Sequence, residues 1–317
     1  MGIWTEFENT VDRMFRFVNG KQVVLWGYER SGWFIEHLFK RNNKQIECII
    51  DDSCTISFKL HLSRSFILRE MDKETVAVLL TFEEDKKVKS FLEGLGYIEG
   101  KNFIFLRKLF YGDNTKRKLS YYDWLEYKYD VDIINAKGGN EIIKPNDDSR
   151  NYAAGMDYPL IDVLDNFEFN ANDAFFDFGI GKGNIFPLFT TRIEGGDICK
   201  FGGVEYDPEL FQIACNNLKK FGFDINGLIK KDASLVTREL DDYNYFFIQN
   251  SFEGKTFDKV IQNIQESHDR KIREMVLIYA GTFCHVNVLK NSNFKLSKII
   301  NTDYWIRNVN VYFLPDR

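Results

Sequence analysis

The sequence predicts an α/β protein of two doubly wound domains in tandem, and three observations predict it. Two separate stretches, Gln22 to Asp52 and Ala174 to Asp207, each run from a strand-like segment through a glycine-rich turn to a second apolar segment that ends on a carboxylate. Around them, apolar runs of strand length alternate with amphipathic runs of helix length, the pattern of parallel sheets covered on both faces. The chain closes on two runs, Phe294 to Ile300 and Val309 to Leu314, spaced as a hairpin.

Residues 1–20 read as an amphipathic helix, with Phe7, Val11, Met14, Phe15 and Val18 near helical spacing and Asn19-Gly20 as its stop. Gln22 to Trp26 is a buried-strand run. The turn Gly27-Tyr28-Glu29-Arg30-Ser31-Gly32, a helix from Trp33 to Arg41 and a strand from Gln45 to Ile50 follow, ending on Asp51-Asp52. Strand-like runs at Thr75 to Thr81 and Asn102 to Leu106 flank a helix from Glu83 to Leu95. Residues 1–110 are expected to form a Rossmann-like domain that resembles the nucleotide-binding-like domains found beside sugar-modifying enzymes. Glu29 stands where a dinucleotide turn needs its second glycine, and its bulk and charge both oppose a pyrophosphate. The domain is therefore expected to be a degenerate accessory module for docking or homodimer formation.

Residues 111–154 read as a connection. Ser120 to Tyr129 is an aromatic helix expected to pack between the domains, and Gly138-Gly139-Asn140 and Lys144 to Ser149 are turn-rich.

Residues 155–317 follow a βα pattern throughout. Tyr158 to Phe167 is a helix with Pro159 at its start, and Ala174 to Phe178 is the first strand. Pro187 implies that the helix after the glycine turn begins late. The second strand, Phe201 to Glu205, leads to Asp207-Pro208, an N-cap and first-turn proline, and to a helix with Leu210, Ile213, Ala214, Leu218 and Phe221 on one face before Gly222. Strands at Ile225 to Ile229, Tyr243 to Ile248 and Met275 to Tyr279 follow, with a helix from Phe257 to Ser267 before the last; the hairpin brings the strands to seven.

The chemistry centres on Asp177-Phe178-Gly179-Ile180-Gly181-Lys182-Gly183. Glycines at alternate positions let backbone approach a ligand without Cβ interference. Glu205 lies about twenty residues beyond, where an open α/β sheet places an acceptor for a ribose diol. The spacing is G-x-G-x-G rather than the dinucleotide G-x-G-x-x-G, and Asp177 before it repels a pyrophosphate but suits a cationic amino group.

With the seven strands and the hairpin, residues 155–317 resemble the class I, seven-stranded S-adenosylmethionine (SAM)-dependent methyltransferases, whose first motif is D/E-x-G-x-G-x-G. The resemblance implies that Gly179, Gly181 and Gly183 line the methionine moiety, that Asp177 sits near its amino group and that Glu205 holds the ribose hydroxyls. It further implies that Asp232 accepts from the adenine amino group beside a backbone donor at Ala233, that Asn250 borders the transferred methyl and that Phe252 walls the acceptor channel. Asn250-Ser251-Phe252-Glu253, with Tyr158-Pro159 upstream, looks closer to the branch of non-SET histone lysine methyltransferases and their bacterial relatives, with N-P-F or N-N-F, than to the N-P-P-Y of amine methyltransferases. Ser251 departs from both, and Ile180 stands where that branch prefers serine.

Composition bounds the remaining choices. The 317 residues are 44% apolar and 28% charged with 30 Phe, ample material for two ordinary globular cores. A formal net charge of −5 and the lack of a basic block argue against nucleic acid as a partner. No apolar run approaches the ~20 residues of a membrane helix and no signal peptide is evident, so a cytoplasmic protein without a membrane partner is expected. Cys48, Cys54, Cys199, Cys215 and Cys284 form no C-x-x-C pair, and with only His37, His61, His268 and His285 beside them no metal is expected.

Methyl transfer from a sulfonium is an in-line displacement for which the protein supplies orientation and a dry site. An oxygen acceptor wants a base; Asp157, Glu253, His268 and His285 are candidates, and none is singled out. The expected function is methyl transfer from SAM to a small molecule or glycan intermediate. A protein (lysine-type) methyltransferase stays open, as does a SAM-binding scaffold without turnover, the latter motivated by Ile180, Pro187 and Ser251. An NAD-linked activity of the first domain is opposed by Glu29.

Overall fold

A computed structural model describes residues 2–52, 62–135, 143–144, 146–154, 157–190, 200–281, 283–302 and 308–316, which fall into two units, Met1–Asp130 and Val131–Arg317. In the first, α1 (Thr5–Val18) buries Phe7, Val11, Met14 and Val18, as their spacing requires. There follow β1 (Gln22–Trp26), α2 (Arg30–Arg41), β2 (Cys48–Ile50), β3 (Leu62–Ser63), β4 (Val76–Leu80), α3 (Lys86–Gly94), β5 (Phe103–Phe105), α4 (Leu106–Tyr111) and α5 (Tyr121–Tyr129). The strands form one parallel sheet in the order β3-β2-β1-β4-β5, the doubly wound arrangement expected. Central β4 is buried at every position, as a strand covered on both faces must be.

Two differences from expectation have local causes. Gly27, at φ +101°, turns the chain so sharply that α2 starts at Arg30, with Trp33 N already donating to Glu29 O. The aromatic helix α5, expected between the domains, belongs to the first unit: Tyr121 packs on Trp4 and Phe7 with ring centroids 5.4 and 5.1 Å apart, and Trp124 packs on Phe7 at 5.6 Å. Ser120 caps it by accepting from Asp123 N. The turn at 138–140 lies outside the described residues.

The second unit contains α6 (Asp157–Leu164), β6 (Ala174–Phe178), α7 (Ile185–Phe189), β7 (Lys200–Glu205), α8 (Pro208–Lys220), β8 (Leu228–Lys230), β9 (Tyr245–Ile248), α9 (Gly254–Arg270), β10 (Met275–Tyr279), α10 (His285–Asn291), β11 (Lys295–Asn301) and β12 (Asn308–Leu314). Its seven-stranded sheet runs β11-β12-β10-β9-β6-β7-β8, parallel except for β12, which is antiparallel to β10 and β11. This is the methyltransferase-type sheet with a closing hairpin that the strand count predicts. From β6 the chain runs outward through β7 to β8 and then crosses back to β9 on the other side of β6, so the carboxyl ends of β6 and β9 flank a switch-point crevice. A core of Phe176, Phe178, Phe246, Phe257, Val260, Ile261 and Ile264 fixes α9 against the sheet.

Asp207 caps α8 as its Asp-Pro signature predicts, accepting from Glu209 N at 2.9 Å and Leu210 N at 3.0 Å. The helix after the glycine turn does not begin late: α7 starts at Ile185, and Pro187 falls in its first turn, where N–H groups lack intrahelical acceptors anyway. The third strand begins later than expected because Leu228 N turns back to Ile225 O, holding 225–226 out of the ladder, while Gly227 O still accepts from Gly203 N of β7.

Ile261 is fully buried and Leu289 on α10 is 44% exposed. Ile261→Ala is expected to cost about 2–5 kcal/mol in urea denaturation, whereas Leu289→Ala stays within about 0.5 kcal/mol; equal costs would place Ile261 outside the core.

Candidate functional site

The glycine turn is set by strand geometry. After β6 the chain reverses through Gly179 (φ +82°) and Gly181 (φ +53°), a left-handed conformation that side chains with Cβ rarely adopt. Space forbids a Cβ as well: at Gly179 it would stand 2.5 Å from Ser251 Oγ, and at Gly181 2.5 Å from Tyr152 Cδ2. Gly179 N and Ile180 N both donate to Val204 O of β7. Gly183 shares the left-handed conformation but packs toward Leu218 of α8 and does not border the cleft.

Asp177, in β6, is 4% exposed, and among the described residues nothing donates a hydrogen bond to its carboxylate. Burial, and next the nearby charge of Glu205, push its carboxyl well above the usual range. Glu205, at the end of β7, is engaged by backbone: Oε2 accepts from Gly181 N at 3.0 Å, and Oε1 from Tyr206 N at 2.8 Å and Asp207 N at 2.9 Å. Burial raises its carboxyl too, while those three amides pull it down. Oε2 keeps one acceptor position for a ligand.

Asp232 caps the short 3-10 turn Ala233–Leu235 by accepting from Ser234 N at 2.8 Å and Ser234 Oγ at 2.7 Å through one oxygen. After β9, Asn250 adopts φ +48° and is exposed, while Ser251 Oγ donates to Phe178 O at 2.9 Å and ties this turn to β6. A proline at 251 would drive residue 250 toward extended backbone, so serine and the left-handed asparagine belong together. Phe252 borders the cleft and also packs on Phe178 and Phe257.

The carboxyl ends of β6, β7, β8 and β9 thus surround one cleft with about 880 Å³ of empty space, the open solvent at its mouth included. Asp177, Gly179, Gly181, Glu205, Asp232, Ala233, Asn250 and Phe252 all line it. Its remaining wall is a strap that sequence reasoning assigned to the connection. Ser149 pairs with Phe252 in an antiparallel bridge, Arg150 N donates to Ser251 O, and Glu253 N donates to Asp148 O. Asp148 Oδ2 accepts from Thr256 N in the first turn of α9, and the Arg150 guanidinium pairs with the Glu253 carboxylate. Asn184 holds Ala154 O, and Asp207 Oδ2 accepts from Ile143 N. These partners lie up to 108 residues apart, so no local spacing marks the strap; only Asp148 and Ser149, as capping residue types, hint at it.

None of the four candidate bases borders the cleft. Asp157 is buried in α6, Glu253 pairs with Arg150, His268 Nε2 meets Pro315 O, and His285 Nδ1 meets Tyr312 Oη at 2.7 Å. In the first unit, Thr81 Oγ1 donates to Gly27 O at 2.8 Å, and a Cβ on Gly27 would stand 2.9 Å from Phe82 Cδ1, so Thr81 and Phe82 fill the switch point between β1 and β4. Among the described residues, no cluster of three His, Cys, Asp or Glu is placed to hold a metal, and no helix is long and apolar enough to cross a membrane.

No family model and no curated protein matches the chain. Among solved structures it is similar to a SAM-dependent methyltransferase from Aquifex aeolicus, at 10% identity over 49% of this chain and 87% of that one, with a TM-score of 0.35. It is similar also to the precorrin-6y C5,15-methyltransferase from Geobacter metallireducens GS-15, at 15% identity over 58% and 99% of the two chains, TM-score 0.37. For TrmN from Thermus thermophilus the identity is 10% over 50% of this chain and 48% of that one, about half its length, with a TM-score of 0.38. Likeness of this degree adds nothing to the observed strand order, and the site stands on its own residues.

Because the folded-state carboxyl of Asp177 titrates above its unfolded value, the native state holds the extra proton, and its stability falls as pH rises between the two values. The ligand-free Asp177→Asn variant is expected to melt above the wild type at neutral pH, with the gap closing as pH falls toward about 4. A gap that widens in acid would contradict the assignment.

Proposed function

We propose that the second unit binds SAM and transfers its methyl group. The observation that carries this is the Asp177 carboxylate, buried beside a glycine turn with no donor among the described residues. A buried acid without a partner is costly, and a ligand ammonium relieves it whereas a pyrophosphate aggravates it. The residues fit SAM. Asp177 and the backbone at Gly179 and Gly181 would hold the amino-acid arm, the open position on Glu205 Oε2 a ribose hydroxyl, and Asp232 with Ala233 the adenine. Gly183, packed on α8, supports the turn from behind. Bound SAM supplies an electrophilic methyl on a sulfonium; the chain orients it, excludes water with the strap and presents the acceptor near Asn250 and Phe252.

The acceptor that fits best is a small molecule or glycan intermediate. The strap across the cleft favours a compact acceptor, and the net charge of −5 disfavours nucleic acid. A lysine-type protein acceptor rests on the resemblance at 250–252, but the left-handed Asn250 and the Ser251 tether build that turn differently from an N-P sequence. Turnover separates an enzyme from a SAM-binding scaffold. The first unit, its switch point filled by side chains, is assigned an accessory role in docking or homodimer formation without NAD. Buried free thiols at Cys48, Cys215 and Cys284 suit a cytoplasmic setting.

Calorimetric titration tests the site. SAM and S-adenosylhomocysteine are expected to bind in the micromolar range and NADH not at all. Asp177→Ala is expected to lower SAM affinity at least about tenfold, and Glu205→Gln, which keeps the side chain's length, to lower it by less. Retained affinity in both variants would sink the assignment.

A further inference from the structure

A side chain of the strap closely approaches the glycine turn. Tyr152 lays its Cδ2–Cε2 edge on Gly181, so tightly that no Cβ fits between them, and it borders the cleft. Its hydroxyl donates to Ile133 O at 2.7 Å. Lys182 Nζ stands 5.5 Å from its ring centroid and is itself held by Asp132 Oδ1 at 2.7 Å and Asn135 O at 2.9 Å. Asn217 of α8 fastens the same segments, donating to Asp132 O and Lys182 O. The ring is therefore fixed at its hydroxyl end and along its edge, a prearranged wall of the cleft.

We propose that Tyr152 is a specificity-determining residue: it holds the amino-acid arm of the nucleoside ligand and discriminates against nucleosides that lack one. This rests on the SAM reading of the cleft. The turn that Tyr152 covers is the one that follows Asp177 directly, so a ligand ammonium drawn to that carboxylate passes beside an aromatic ring. An aromatic face attracts a cation and packs on a methylene chain, and a rigid ring does so with little entropy left to lose. Neither contact serves the adenosine end, which lies toward Glu205, Asp232 and Ala233.

The test is calorimetry on the full chain with SAM, S-adenosylhomocysteine and 5′-methylthioadenosine, the last carrying the nucleoside without the amino-acid arm. Tyr152→Leu is expected to lose roughly five- to thirtyfold in affinity for the first two while its affinity for 5′-methylthioadenosine stays within about twofold. Tyr152→Phe, which keeps the ring, retains most of the wild-type preference. Tyr152→Met covers the case in which the branched leucine is not accommodated. Equal losses for all three ligands would reduce Tyr152 to a prop for the turn, and unchanged SAM affinity would remove it from the site; either overturns the proposal alone. A wild-type protein that binds none of the three overturns the SAM reading together with it.

Discussion

The second unit is arranged around one unfavourable fact, a carboxylate buried at the end of a parallel strand without a donor among the described residues to satisfy it. Ionised, such a group costs several kcal/mol in a protein interior, and Glu205 nearby adds a like charge. The surroundings do not neutralise it with lysine or arginine: Lys182, five residues on, is turned away to Asp132. What the fold supplies instead is approach. Left-handed glycines, Gly179 anchored on Val204 O and Gly181 on Glu205 Oε2, keep Cβ atoms out of the path. A site that keeps an uncompensated acid and clears the space around it is complementary to a cation delivered from outside.

The two acids expected to meet the ribose and the adenine, Glu205 and Asp232, also hold backbone, as Asp207 and Asp148 do. Glu205 engages three amides across the glycine turn and the start of α8. Asp232 caps the 3-10 turn beside it, Asp207 caps α8 while holding Ile143 N, and Asp148 does the same for α9. Each such cap contributes about 1 kcal/mol, and together they set the strand ends and the strap in one arrangement. Preorganisation of this kind lowers the entropy lost when a ligand binds.

How much of this was legible follows from the range of each interaction. The strand Ala174–Phe178, the glycine turn, Glu205 and the Asp207-Pro208 cap are written in contiguous residues, so their positions could be read directly. Asp232, Ala233, Asn250 and Phe252 could be placed on one edge because each follows an apolar strand. Gly183 was indistinguishable in the motif from Gly179 and Gly181, since only the three-dimensional path shows that it faces α8. Tyr152 left no trace and the strap only the capping residue types Asp148 and Ser149, because their partners are Gly181, Ser251, Glu253 and Thr256, far along the chain. The aromatic helix α5 was visible as a helix, but nothing in its own sequence distinguishes burial against Trp4 and Phe7 from burial between domains.

The two units show why a strand, glycine turn, helix, strand, acid pattern does not by itself make a site. In both, a hydroxyl after the strand across the switch point reaches back to a backbone oxygen at the turn: Thr81 to Gly27 O in the first, Ser251 to Phe178 O in the second. The next residue then separates them. Phe82 comes against Gly27 while packing on Trp26 and Phe105, whereas Phe252 packs on Phe178 and Phe257, borders the cleft and leaves the approach to Gly179 to Ser251. What makes a crevice receptive thus depends on the residues that follow the opposite strand as well as on the glycine turn, because both sides of the switch point bound the space a ligand would take.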